Sequence, residues 1–485
     1  MALRRFGWLA LLAVLVACSP LQDDLAGHGH WTDFDDGSAS LADFAADEGV
    51  SALSTGPRRY ILSRNGSIRN LEAFVRRQGD TLVRFAPEAG FAVVETSTPA
   101  AYRRFADVVV RDVVIDWREP TTTVAFEPEV GDPPFSGSAD VFFDLQWGHV
   151  PVRATAAWDA GVRGEGVRVA VIDGGFDLTH PDLVPNINFD LSLNFVEGES
   201  LQYALPDPFS HGAHVAGTIA AAQNDFGIIG VAPDAELVLL KALGDGGSGS
   251  FADVGAAMVY AADVGADITN MSLGGSIPQR GIPGDITARE VAELRVFMQR
   301  IANYGTWKGT LYVTSAGNSA LDRDKTADLL VLPADIRRVV SVSATAPIGW
   351  ATITQADPDD NYWDGSFEYL ASYSNYGRSA IDVSAPGGDF AYPTDEPCLV
   401  AGLFRPCWVF DLVFSTGNQG WYWSAGTSMA APHASGVAAL ILSEAGGPGA
   451  LTPAQLEQAL YRRAESIGQR GQDPEHGRGA VRSGY

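Results

Sequence analysis

Two hydrophobic periodicities divide the chain. Between residues 167 and 342, short apolar runs rich in β-branched residues recur at 167–172, 237–240, 268–271, 311–314 and 339–342. Segments of helical spacing lie between them, among them one carrying Ile286, Val291, Leu294, Phe297 and Ile301. Strands apolar on both faces that alternate with helices predict an α/β fold with a mostly parallel, doubly wound sheet covered on both sides. Residues 58–120 read differently. A strand at 60–62 is followed by Ile68, Leu71, Phe74 and Val75 on one face of a helix over 68–78. Residues 81–85 and 91–95 pair around a turn at 87–90, a second helix follows at 99–105, and residues 108–115 close with strand character. This β-α-β-β-α-β order is the split arrangement of a small ferredoxin-like α+β domain.

The remaining stretches lack such patterning. Arg4 and Arg5 precede an apolar run at 8–16, too short to span a bilayer, and the whole of 1–17 reads as an export signal. Leu15, Val16, Ala17 and Cys18 resemble a bacterial lipoprotein signal, which implies lipidation of Cys18. Residues 18–57 form an acidic tether rich in Gly, Ser and Ala, and 121–140 a linker rich in Pro, Gly and Thr. The full chain has 485 residues, room for more than one domain, and a formal net charge of −26. That charge argues against a nucleic-acid partner and against an anionic membrane surface, so membrane contact is expected only through the lipid anchor. With Cys18 assigned to the anchor, Cys398 and Cys407 remain as an even pair. In an oxidising compartment a local disulfide fits them, and so do two free thiols.

Three segments carry chemistry. The strand at 167–172 delivers Asp173, followed by Gly174 and Gly175, to the edge of the sheet. His211 opens a small-residue helical stretch through Gly212, Ala213, His214 and Val215. Gly426, Thr427 and Ser428 lead into a second such stretch, with Met429, Ala430, Ala431, Pro432, His433 and Ala434. A serine at a helix start lies beside free backbone N–H groups and a partial positive charge, where an oxyanion can be held.

With Asp173, His211 and Ser428 in that chain order, the sequence resembles a subtilisin-like serine peptidase, and the resemblance covers nearly all of residues 141–485. It implies Ser428 as nucleophile, His211 as general base and acid, and Asp173 as the residue fixing the imidazole. Asn318, after the apolar strand at 311–314, would donate to the oxyanion. His214 and His433 are read as structural. Gly247, Ser248 and Gly249, with Ser272, Leu273 and Gly274, match the segments that flank an extended substrate and pair with its main chain. A calcium site is implied at Asp182, Ala222, Asn224, Phe226 and Ile228, oxygen ligands for a hard cation. The ligand expected near the domain's N-terminus has no motif, and Gln146 is a guess.

The same resemblance makes residues 58–120 an inhibitory propeptide and 121–140 the stretch where self-processing falls. The expected product is an exported serine endopeptidase made as a zymogen, with polypeptide substrates and its own propeptide as intramolecular inhibitor. It would reside in the bacterial cell envelope as a lipid-anchored precursor, or outside the cell. Gly174 and Ala213 depart from the family pattern, as do apparent insertions at 276–310, 347–367 and 389–420. The rival readings are a peptide-holding pseudopeptidase, against which all four expected catalytic groups are present, and an esterase, against which the pair of substrate-strand segments favours polypeptide.

Overall fold

Alternation along each strand decides which layer every side chain joins. The computed structural model describes residues 58–118, 121–126, 139–351, 368–391, 396–469 and 471–485. The export signal, Cys18 and the acidic tether lie outside these residues.

The small N-terminal domain consists of β1 (Arg59–Ser63), α1 (Leu71–Gln78), β2 (Thr81–Ala86), β3 (Phe91–Glu95) and β4 (Val108–Arg111), in the antiparallel order β2-β3-β1-β4. β5 (Val114–Asp116) and β6 (Thr122–Ala125) follow, and neither joins that sheet. The central sheet of the large domain takes β7 (Arg168–Asp173), β8 (Leu193–Asn194) and β9 (Glu236–Lys241), with α2 (His211–Ala220) between the last two. The chain continues through β10 (Ser248–Ser250), α3 (Phe251–Asp263), β11 (Ile268–Met271), α4 (Ala288–Lys308), β12 (Leu311–Ser315) and β13 (Val339–Ala346). Next come β14 (Tyr369–Leu370), β15 (Val383–Pro386), β16 (Pro397–Val400), β17 (Leu403–Pro406), β18 (Val413–Thr416), β19 (Trp421–Ala425), α5 (Thr427–Glu444) and α6 (Pro453–Arg463). The sheet order is β14-β13-β12-β11-β7-β9-β8, with β15 also on β13, and every pairing except β13–β14 is parallel.

Val169, Val171, Leu237 and Leu239 face one core, against α2 and α5, while Ala170, Ile172, Val238 and Leu240 face another, against α3 and α4. This is the doubly covered sheet that the apolar runs predict. The small domain repeats the logic. Leu62, Ala92, Val94 and Val109 face its own helices, whereas Ile61, Val93, Val108 and Val110 enter the core shared with α3 and α4. Arg111 Nε to Glu290 at 2.6 Å, Arg300 to Asp107 at 2.6 Å and Arg84 to Asp253 at 3.1 Å rim that boundary.

Several expectations shift. The helix over 68–78 starts at Leu71, and residues 99–105 form the 3-10 helix Pro99–Arg104. Ile286 lies in a two-residue strand, because the Thr287–Glu290 capping box sets the start of α4 after it. The run at 108–115 is two strands. Asp112 N–H closes the β1 ladder at Arg59 O (3.0 Å), and its carboxylate turns to the start of α3, accepting from Ala252 N–H at 2.9 Å. β6 occupies residues read as linker. Near the C-terminus, residues 477–481 contribute isolated bridges, among them Gly477 to Val383 and Ala480 to Ser384. Cys398 and Cys407 are disulfide-bonded across the β16–β17 hairpin. Among the described residues no helix is long and apolar enough to cross a membrane.

Candidate active site

Asp173 ends β7, and both its oxygens are committed. Oδ1 accepts from His211 Nδ1 at 2.8 Å and from Gly174 N–H at 2.7 Å, and Oδ2 lies 3.0 Å from the same Nδ1. The carboxylate is 2 % exposed, so a single charged group is held rigidly against the ring. His211 is the first residue of α2, whose cap is Ser210 Oγ accepting from Ala213 N–H at 3.2 Å. His211 Nε2 is buried without a hydrogen-bond partner.

Ser428 lies in the first turn of α5. Pro432, four residues on, has no N–H to give the Ser428 carbonyl, and Ser272 Oγ takes that place at 2.7 Å. Ser272 Oγ in turn accepts from Asn270 Nδ2 (2.9 Å), and Asn270 Oδ1 accepts from Ser435 Oγ (2.8 Å). A buried relay therefore ties the Ser428 backbone to β11. Ser428 Oγ itself donates to Ser272 O at 3.4 Å rather than to His211.

Asn318 follows β12 by a few residues, and its Oδ1 accepts from Thr427 N–H (2.9 Å) and Thr427 Oγ1 (2.6 Å). With the carbonyl end on Thr427, Nδ2 lies 3.3 Å from where a Cβ on Gly426 would stand. Thr427 was not singled out from the sequence; its place directly before Ser428 was the available signal. His214, by contrast, is a buried ring bonded to Val413 O at 3.2 Å, and burial pushes it down to about 3. His433, bonded to Met429 O at 2.8 Å, is pushed down to about 4 by burial. Both are structural, as the sequence reading has them.

The segments read as substrate-binding have an occupant in this chain. β5 pairs antiparallel with β10, placing Asp116 opposite Ser248 and Ile115 opposite Gly249. Trp117 N–H donates to Gly247 O at 3.2 Å, its indole Nε1 to Gly249 O at 2.9 Å, and Gly274 N–H donates to its carbonyl at 2.9 Å. The Trp117 ring is fully buried against Phe251, 4.6 Å between centroids. Gly247 has φ +93°, and a Cβ there would stand 2.6 Å from Arg118 Cβ, so the close approach requires glycine. Arg118 lines one narrow cavity with Asp173, His211 and Ser272. Beyond it, Thr121 Cγ2 comes within 3.0 Å of a Gly426 Cβ position, and β6 pairs antiparallel with β19 directly upstream of Gly426.

The loop at 222–228 gathers around Asp182, which is fully buried. Asp182 Oδ2 accepts from Ile228 N–H (3.1 Å) and Trp421 Nε1 (2.9 Å), while Oδ1 has no partner. Burial pushes the carboxyl up to about 7. A Cβ on Gly227 (φ +56°) would lie 2.2 Å from Oδ2, so the cradle is closed on that side by glycine. Asp140, also buried, accepts from Asn224 N–H (3.0 Å) and Phe226 N–H (3.4 Å). An orphaned buried carboxylate oxygen, with a second carboxylate bonded to the backbone of the same loop, fits a hard divalent cation. Gln146 stands apart: its amide exchanges two 2.9 Å bonds with the Ile229 backbone.

The subtilase family, Peptidase_S8, matches residues 164–479. The chain belongs to the subtilase family of peptidases. It is 34% identical over 298 residues both to M-protease of Shouchella clausii (strain KSM-K16) and to Subtilisin Savinase of Lederbergia lenta. Those matches cover 61% of this chain, with 59% of M-protease and 84% of Savinase. In fold it is similar to the epidermin leader peptide processing serine protease of Staphylococcus aureus, with a TM-score of 0.62 at 20% identity over 88% of this chain and 97% of that one.

Proposed function

We propose that the chain is a serine endopeptidase acting on polypeptides, exported as a zymogen that cuts itself between Arg118 and Thr121. Ser428 Oγ attacks the scissile carbonyl, His211 takes its proton and passes it to the leaving amine, and Asp173 holds the ring in the required tautomer. Asn318 Nδ2 and the start of α5 stabilise the oxyanion. For the attack, Ser428 Oγ has to turn from the Ser272 carbonyl to His211 Nε2, the one ring nitrogen with nothing bound.

The observation that carries this reading is the chain's own course. β5 lies on β10 as the part of a substrate before the scissile bond would, and β6 lies on β19 as the part after it would. Such pairing of main chain with main chain is how an extended peptide is gripped. The small domain over 58–120 is then the propeptide, and the cut falls just upstream of the 121–140 stretch where the resemblance put it. Calcium, held by Asp182, Asn224 and the carbonyls of Ala222, Phe226 and Ile228, with Asp140 beside them, would supply fixed positive charge that rigidifies the loop. With Cys18 lipidated, the anchor leaves with the propeptide and the catalytic domain goes free. Recovery of the cut catalytic domain in the membrane fraction would overturn that last point.

The deciding experiment compares intact masses of the wild-type chain and Ser428→Ala, both produced with calcium. The wild type should lose everything upstream of a bond between Arg118 and Thr121, and Ser428→Ala should stay whole. If both stay whole and neither digests casein, the groove only holds peptides.

A further inference from the structure

The segments on the two sides of the nucleophile differ in what they are attached to after a cut. Upstream, β5 belongs to the small domain, which becomes a separate chain. Downstream, β6 stays covalently part of the catalytic domain. Its ladder sets Thr122 opposite Ala425, Thr123 opposite Ser424, Val124 opposite Trp423 and Ala125 opposite Tyr422. Phe126, which ends it, is 9% exposed and sits in a cage of Phe142 (4.9 Å between centroids), Phe414 (5.1 Å), Trp423 (5.4 Å) and Trp421 (6.4 Å). The cage is firmly built: Trp421 is fixed to Asp182 by its indole N–H, and Phe142 N–H donates to Gly227 O at 2.8 Å. The chain therefore returns, at Phe142, to touch the ring that it left at Phe126.

We propose that the edge of β19 and this aromatic cage form a binding site for an uncharged extended segment ending in an aromatic ring. Residues 121–126 stay seated there after the cut and close the side of the cleft that takes residues beyond the scissile bond. The proposal rests on the self-processing reading above. A strand tethered at both its ladder and its far end acts at millimolar effective concentration, which dilution does not lower, whereas the small domain is lost by dilution. The cut enzyme is thus open on one side of Ser428 and occupied on the other. Substrates that need only the first side, such as short peptide nitroanilides, are turned over freely. Peptides with several residues past the cleaved bond first have to displace β6.

The test compares self-cut wild type with Phe126→Ala and with Thr123→Pro and Val124→Pro, adjacent positions of which one directs its N–H at β19. Intact mass of each confirms folding and cutting. The ratio of kcat/KM for an internally quenched peptide extending past the scissile bond to that for a nitroanilide should rise roughly tenfold or more in Phe126→Ala and in one proline variant. An unchanged ratio in cut, folded variants overturns the proposal. If the wild-type chain does not cut itself, the self-processing reading has failed, and the site is judged on the uncut chain by amide hydrogen exchange. There, whichever of the Thr123 and Val124 amides is bonded to β19 should exchange slowly in wild type and fast in Phe126→Ala. Fast exchange in both, or slow exchange in both, overturns the site itself.

Discussion

Asp173 and Asp182 are two buried aspartates nine residues apart, and they are built for different partners. Asp173 has every oxygen engaged, by His211 Nδ1 and by Gly174 N–H. Asp182 has one oxygen engaged twice, by Ile228 N–H and Trp421 Nε1, and one with no partner at all. Burial is nearly the same, 2 % and 0 % exposed, so burial alone does not say what a carboxylate is for. The distribution of hydrogen bonds does. A fully satisfied carboxylate against an imidazole orients a ring; a half-satisfied one in a closed cradle waits for positive charge.

The sharpest way to test that contrast is to remove one charge at a time. Asp173→Asn should lower kcat about 10,000-fold through the wrong imidazole tautomer, with the melting temperature held near wild type. Comparable loss of stability would mean that Asp173 is mainly structural. Asp182→Asn should do the reverse. Its kcat on a nitroanilide at low temperature should stay near wild type, but it should lose the stabilisation by calcium. That stabilisation is worth about 3 kcal/mol when calcium is a hundredfold above its Kd. Melting curves with calcium and with a chelator read the difference, and an Asp182→Asn protein that still gains from calcium would remove the site.

A third buried carboxylate extends the comparison. Asp112 accepts from Ala252 N–H at the start of α3 but lies beside Asp253, and burial pushes it up to about 7 from an ordinary 3.8. Arg59, 3.7 Å away, pulls the other way without cancelling the burial. In the separated small domain the group would titrate at its ordinary value. The bound state therefore holds its proton more tightly, and association is strongest below pH 4. It weakens as pH rises to about 7 and is level above that. If the small domain inhibits the cut enzyme as proposed, that inhibition should fall by up to about a thousandfold across that window, and Asp112→Asn should flatten the profile. A profile equally steep in Asp112→Asn would assign the effect to another group.

The chemistry was more legible in the sequence than the course of the chain. Asp173 ends a strand, His211 and Ser428 lie at the start of helices of small residues, and Asn318 closely follows a strand; such junctions announce themselves by a change of residue type. The doubly covered sheet was legible for the same reason. Hidden were features set by partners distant in sequence. Residues 108–115 form one apolar run, and nothing in its periodicity reveals that Asp112 breaks it to reach α3. β6 was masked by the Thr and Pro around it, because an edge ladder on β19 asks little of side chains. Asp140 was hidden by standing at the end of an acidic, Pro-rich stretch, although it reaches two amides of the 222–228 loop.

The sheet of the small domain turns Ile61, Val93, Val108 and Val110 into a core that also holds α3 and α4. If one peptide bond beside Ser428 is broken as proposed, that core stays whole, and the cut molecule would be a non-covalent pair with a dissociation constant of its own. Such a pair obeys mass action. Specific activity on a short substrate should climb as the preparation is diluted, and progress curves should bend upward as the smaller partner drifts off. Concentrating the enzyme should quiet it again.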